Sequence, residues 1–211
     1  MHNNYLKLML ITNRQTNDLS HYLDFIEHCV LGGITSVQLR EKKLPAPDLI
    51  IMAEKLKLLL DRYNVPLIIN DNVDLTVNVD ASGVHLGQTD GSPIAARERL
   101  GTEKIIGLSL ESEEDLLRAN ALPVDYAAAS AVFSTANKHN IRKLWGTSGL
   151  ATLASTCVHP VIAIGGIDLT NASAVITAGA AGIAVIGVLH QAENPEATAF
   201  DLLRLVNGGK Q

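Results

Sequence analysis

Eight short apolar runs recur along the chain, each followed by a stretch with helical spacing, and the alternation never breaks. A strand buried on both faces must be almost continuously apolar, and a parallel neighbour is reached only through a crossover, usually a helix. The strand runs are Leu6–Thr12, Ser36–Glu41, Val65–Asn70, Gly83–Gly87, Ile105–Leu110, Asp125–Phe133, Val161–Ile167 and Gly182–Leu189. The helical stretches are Asp18–Leu31, Asp48–Tyr63, Val73–Val79, Pro93–Leu100, Glu113–Asn120, Ser148–Ser155, Thr170–Ala178 and Pro195–Val206. Eight such units predict an α/β chain closed into a (β/α)8 TIM barrel; an open doubly wound sheet is the alternative and usually has fewer units. A length of 211 residues with 47% hydrophobic content suits one domain spanning 1–211.

The charge balance narrows the partners. A formal net charge of -5 argues against a general nucleic-acid or anionic-membrane binder, so any anion recognition has to be local. Cys29 and Cys157 lie far apart in apolar, helix-like stretches and read as free thiols of a reducing compartment. The opening MHNNYLKLMLITNRQ lacks the long apolar core and small-residue cleavage site of a signal peptide, and no run reaches membrane-spanning length. The expected setting is the cytoplasm; self-association stays open.

In a barrel of this kind the chemistry collects at the C-terminal ends of the strands. Unusual polar residues gather there: Gln38, Arg40 and Lys42 in SVQLREK, Asn70 and Asp71, His85 followed by Gln88 and Asp90, Ser109, then Thr135, Asn137 and Lys138, with Gly165, Gly166 and Gly187 on the last two strands. Strand periodicity would aim Gln38, Arg40 and Lys42 to one side. Arg40 and Lys42 are either cations paired with Glu41 or a grip on an anion. Asp71 and Asp90 either cap the helices that follow or form a two-carboxylate site for Mg²⁺, which prefers few protein oxygens and completes its shell with phosphate and water. His85, in mid-strand, reads as structural. Ser109 either caps a turn or donates to a phosphate, and the glycines either make turns or let backbone N–H groups approach an anion. The long segment Ser134–Leu150 has the length of a lid; Arg142 and Lys143 in it read as solvated, Lys138 as a phosphate ligand and Trp145 as an anchor. Arginine, lysine and Mg²⁺ together suit stabilisation of a departing pyrophosphate, and no Ser-His-Asp or cysteine nucleophile competes with that reading.

The motifs VQLREK, IINDNVDL, GVHLGQTD, IGLSLES, DYAAASAVFSTANK, AIGGI and GIAVIGVL, in this order and over nearly the whole chain, resemble the thiamine phosphate synthase family. The resemblance implies an Mg²⁺-dependent transferase that joins a hydroxymethylpyrimidine diphosphate to a thiazole phosphate and releases pyrophosphate. It assigns Gln38, Arg40, Lys42, Ser109 and Lys138 to the diphosphate, Asn70 to the pyrimidine, and Asp71 and Asp90 to Mg²⁺. The wider substrate-binding set takes in Leu39, Glu41, Thr135, Asn137, Gly165, Gly166, Ile186 and Gly187. Asn137 and Gly187 depart from the hydroxyl residues common in that family. A thiazole tautomerase-like enzyme and a non-catalytic phosphate-binding barrel are the rival readings.

Overall fold

The computed structural model describes residues 3–138 and 141–208; His139 and Asn140 of the expected lid lie outside them, as do the first two residues and the last three. After a 3-10 turn at Asn3–Leu6 the chain alternates β1 Leu8–Ile11, α1 Leu19–Leu31, β2 Ser36–Leu39, α2 Ala46–Asp61, β3 Leu67–Asn70, α3 Val73–Asn78, β4 Gly83–Leu86 and α4 Pro93–Leu100. It continues with β5 Ile105–Leu110, α5 Glu113–Ala119, β6 Tyr126–Ser130, α6 Gly146–Thr156, β7 Val161–Ile164, α7 Ala172–Thr177, β8 Gly182–Val185, α8 Gly187–His190 and α9 Pro195–Val206. Each strand pairs in parallel with the next, and β8 pairs with β1, so the sheet closes into a barrel.

Strand parity divides the core in two. Leu8 and Leu10, Val37 and Leu39, and Leu67 and Ile69 point out into the layer between sheet and helices. Met9, Ile11, Ile68, Tyr126, Ala128, Ile162 and Ala184 fill the lumen. Successive side chains alternate faces, so each strand contributes to both layers. Gly107 is what lets Tyr126 lie across the lumen, because a Cβ there would come within 2.1 Å of the ring. The same inward parity, carried one step further up each strand, delivers Gln38, Asn70, His85, Ser109 and Ser130 to the mouth. Registers place Asn70 opposite His85 and stagger the others, with His85 opposite Gly107 and Ser109 opposite Ala128.

Apart from β5, which matches its run, the strands are shorter than their apolar runs. β2 ends at Leu39, so Arg40 and Lys42 belong to the loop beyond it, where Thr12 Oγ1 holds the Arg40 N–H at 2.8 Å. The expected eighth strand through Leu189 is also corrected. It ends at Val185, and Gly187–His190 turns into a short helix, since the run has by then left the barrel wall.

Local capping decides one alternative. Asn72 caps α3 by accepting from Leu75 N at 2.8 Å, and Ser92 caps α4 by accepting from Ala95 N at 3.4 Å. The helix entries are therefore served by the neighbours of Asp71 and Asp90, which leaves both carboxylates for other work. Among the described residues no helix is long and apolar enough to cross a membrane.

Candidate active site

A cavity of about 1050 Å³ opens at the C-terminal ends of the strands. Gln38, only 3% exposed, forms part of its floor. Arg40, Lys42, Asn70, Asp71, Asp90, Ser109, Thr135, Asn137, Lys138, Gly165, Gly166, Ile186 and Gly187 line the rest of the predicted set's share of the wall. Leu39 and Glu41 do not line it. Leu39 has outward parity and is buried among the helices, while Glu41 turns to accept the Arg14 N–H at 2.9 Å.

The charges are arranged in specific pairs. Lys42 Nζ lies 3.3 Å from Asp71 Oδ2, so the pairing of Lys42 with Glu41 is replaced by one with Asp71. Among the described residues Arg40 has no ion-pair partner, and its guanidinium is available to a ligand. Lys138 Nζ donates to Glu111 and, at 3.1 Å, to Ser130 Oγ. Asp71 has a left-handed backbone, φ 64°, and donates its N–H to His85 O at 2.9 Å. Asp90 Oδ2 accepts from Gly87 N at 2.9 Å. Burial raises the Asp71 pKa first, a hydrogen bond with Asp90 raises it further, and Lys42 opposes both. Two carboxyl groups brought this close from adjacent strand ends repel when both are ionised, and a hard cation relieves that repulsion. They therefore fit Mg²⁺ as a two-oxygen donor pair. Among the described residues no cluster of three or more His, Cys, Asp or Glu could hold a metal.

His85 bonds through Nδ1 to Tyr126 Oη and through Nε2 to Ser109 Oγ, both at 2.9 Å. Burial holds its pKa down to about 4, with Lys138 adding to the shift, Asp90 opposing it and Arg40 adding. The neutral ring thus fixes the Ser109 side chain at the cavity wall, and the structural reading of His85 agrees with its two satisfied nitrogens. Trp145, 6% exposed, donates Nε1–H to Leu110 O at 3.3 Å and opens α6, as its anchor role requires.

Among the wall residues that the sequence reading did not single out are Glu111 and Ser130. Glu111 sits two positions beyond Ser109 and Ser130 two beyond Ala128, so strand parity was the signal that could have found them. Gln88 donates from Nε2 to Ser109 O and packs the β4 loop against β5.

Fold and mouth together define a TIM-barrel protein with its site on the C-terminal face of the barrel. Residues 8–189 match the family model described as thiamine monophosphate synthase. The chain belongs to that family. It is 52% identical over 209 residues to the thiamine-phosphate synthase of Chlamydia abortus, covering 99% of each chain. It is 43% identical over 204 residues to the thiamine-phosphate synthase of Vibrio parahaemolyticus, covering 97% of this chain and 100% of that one. Among solved structures it resembles a thiamine phosphate pyrophosphorylase from Pyrococcus furiosus, with a TM-score of 0.88, 33% identity and 97% coverage of both chains.

Proposed function

We infer that this chain, acting as a single domain in the cytoplasm, is a transferase. It condenses 4-amino-2-methyl-5-hydroxymethylpyrimidine diphosphate with 4-methyl-5-(2-phosphoethyl)thiazole to give thiamine phosphate and pyrophosphate. The observation that carries this reading is the gathering of Gln38, Arg40, Lys42, Ser109 and Lys138 with the Asp71/Asp90 pair around one cavity, in a chain that matches named synthases end to end.

The reaction breaks the bond from the pyrimidine methylene carbon to the diphosphate oxygen, and the electron pair leaves with pyrophosphate. The resulting pyrimidine methyl cation is captured by the lone pair of the thiazole nitrogen, which forms the new C–N bond and leaves a thiazolium. No proton has to move, so the site needs charge stabilisation and positioning more than a general base. Arg40 offers a planar two-pronged donor set to the leaving oxygens. Lys42 and Lys138 add point charges, each steadied by a partner. Ser109, held by His85, donates a hydroxyl. Asn70, level with His85 on the lumen face, is assigned to the pyrimidine. Asp71 and Asp90 would hold Mg²⁺, which when bound would neutralise charge on the diphosphate oxygens. Thr135, the Asn137 amide and the backbone N–H groups of Gly165, Gly166 and Gly187 are assigned to the thiazole phosphate, beside Ile186.

Pyrophosphate release from the two purified substrates with Mg²⁺ tests the reading. A tautomerase-like enzyme or a binding protein would release none.

A further inference from the structure

Among the cations of the mouth sits a carboxylate that the reaction does not call for. Glu111 directly follows β5, lines the cavity and is 15% exposed at its side chain. One of its oxygens holds Lys138 Nζ, and the other lies 3.7 Å from Arg142 Nε. An anion buried at this depth opposes the arrival of a diphosphate, and desolvation offsets much of the Coulomb gain of a pair buried this far, so fold stability alone does not account for it. Its placement fits a different need. Cations that stabilise a departing pyrophosphate also retain the product, and binding that is equally strong before and after the chemical step slows release without speeding the reaction.

The geometry points to Glu111 as a specificity-determining residue of the diphosphate end: an internal anion that occupies Lys138 and Arg142 in the free protein and takes them back as pyrophosphate leaves. Lys138 has three donors. Glu111 and Ser130 engage two of them, which keeps the ammonium facing the cavity, and among the described residues one N–H is left for a ligand. A tethered carboxylate competes with a free anion at high effective concentration, so it weakens pyrophosphate binding without blocking the site. The inference rests on the transferase reading above.

The experiment is calorimetric binding of inorganic pyrophosphate, in Mg²⁺ buffer, to the parent protein, Glu111→Gln and Glu111→Asp. Glutamine keeps the size and one acceptor but removes the charge; aspartate keeps the charge. Glu111→Gln should bind pyrophosphate on the order of tenfold more tightly, the effect of losing one nearby like charge, while Glu111→Asp stays close to the parent. In turnover, Glu111→Gln should be more strongly inhibited by added pyrophosphate than the parent, and Glu111→Asp should be inhibited as the parent is. Unchanged or weaker pyrophosphate binding in Glu111→Gln would overturn the proposal and leave Glu111 as a structural partner of Lys138. Glu111→Ser, which also removes the charge, gives the same reading should the glutamine variant not fold. Pyrophosphate binding is measured without either organic substrate, so a parent protein unable to make thiamine phosphate would sink the transferase reading and leave this comparison intact.

Discussion

From β2 to β5 the mouth presents charged and polar side chains, Gln38, Arg40, Lys42, Asn70, Asp71, Asp90 and Ser109, whereas beyond β7 and β8 glycines, Gly165, Gly166 and Gly187, bring backbone to the wall beside Thr135, Asn137 and Lys138 from the loop after β6. The first half is shaped by which side chains parity turns inward. The second is shaped by how closely loops can pack: Gly166 has φ 65°, and a Cβ on it would come within 2.4 Å of Ser134 O and 2.8 Å of Phe133 Cβ. The two halves should therefore fail in different ways. Removing a charge from the first costs activity and little stability; adding an atom to the second displaces the chain itself.

The largest effect is expected at the carboxylate pair. Asp71→Ala and Asp90→Ala should each abolish Mg²⁺-dependent turnover, and their thermal midpoints should stay within a few degrees of the parent because neither caps a helix. A variant that unfolds while its remaining folded fraction turns over normally would break the division between the halves.

Next is Arg40→Ala. Charge on the leaving oxygen grows as the bond breaks, so kcat should fall along with diphosphate affinity, by a hundredfold or so in rate, roughly 3 kcal/mol of transition-state stabilisation. Arg40→Lys should recover only part of that, because an ammonium lacks the planar fork. Arg142→Ala, already shared with Glu111 and 63% exposed at its side chain, should lose less. Parent-like turnover by Arg40→Ala alongside a dead Arg142→Ala would move the phosphate site out to the loop.

In the backbone half, Gly166→Ala should lower stability by about 1–3 kcal/mol, from the left-handed backbone together with the contact to Ser134 O, and should raise the KM for the thiazole phosphate more than for the diphosphate. A thermal melt and paired KM measurements read both. Equal changes in the two KM values would mean that the halves are not independent.

The smallest effect concerns acid stability behind Gly187. His190 accepts from Tyr22 Oη at Nε2, 2.9 Å, and donates from Nδ1 to Ile186 O at 2.8 Å, with Phe25 packed against its ring. Burial lowers its pKa, and the bond to Ile186 O only partly opposes that. The native state therefore holds this ring neutral more firmly than the unfolded chain does. Its contribution is whole above the unfolded value of roughly 6.5 and is lost as pH falls below it. His190→Gln should flatten that part of the stability profile in denaturant melts; an acid limb as steep as the parent's would show that His190 does not contribute.

The first half of the mouth was more legible in the sequence than the second because a charged side chain in an apolar run announces itself. Arg40, Lys42, Asp71 and Asp90 stand out in this way, and all four line the cavity. Leu39 and Glu41 entered the expected set through the family resemblance; parity carries Leu39 away from the wall, and the bond to Arg14 N draws Glu41 away. Glu111 was passed over although LSLE places it on the same face as Ser109. Ser130, at the end of an alanine-rich strand, offered only the same weak signal of position. In the second half a glycine says that the backbone is free to turn, and it does not say what will pack against the turn.

Periodicity by itself determined the eight β/α units and the inward face of each strand, because period-2 and helical spacings are local and survive without knowledge of distant residues; the closure of β8 on β1 is a distant pairing that the structure supplies. Tertiary structure alone decided the partners. Lys42 pairs with Asp71, 29 positions away in a different loop, and Lys138 with Glu111, just past the end of the neighbouring strand. Asn72 and Ser92, in place of Asp71 and Asp90, cap their helices. These choices depend on distances set only once the barrel closes and brings strand ends from all parts of the chain around one opening, where a difference of an ångström or two decides which charge meets which.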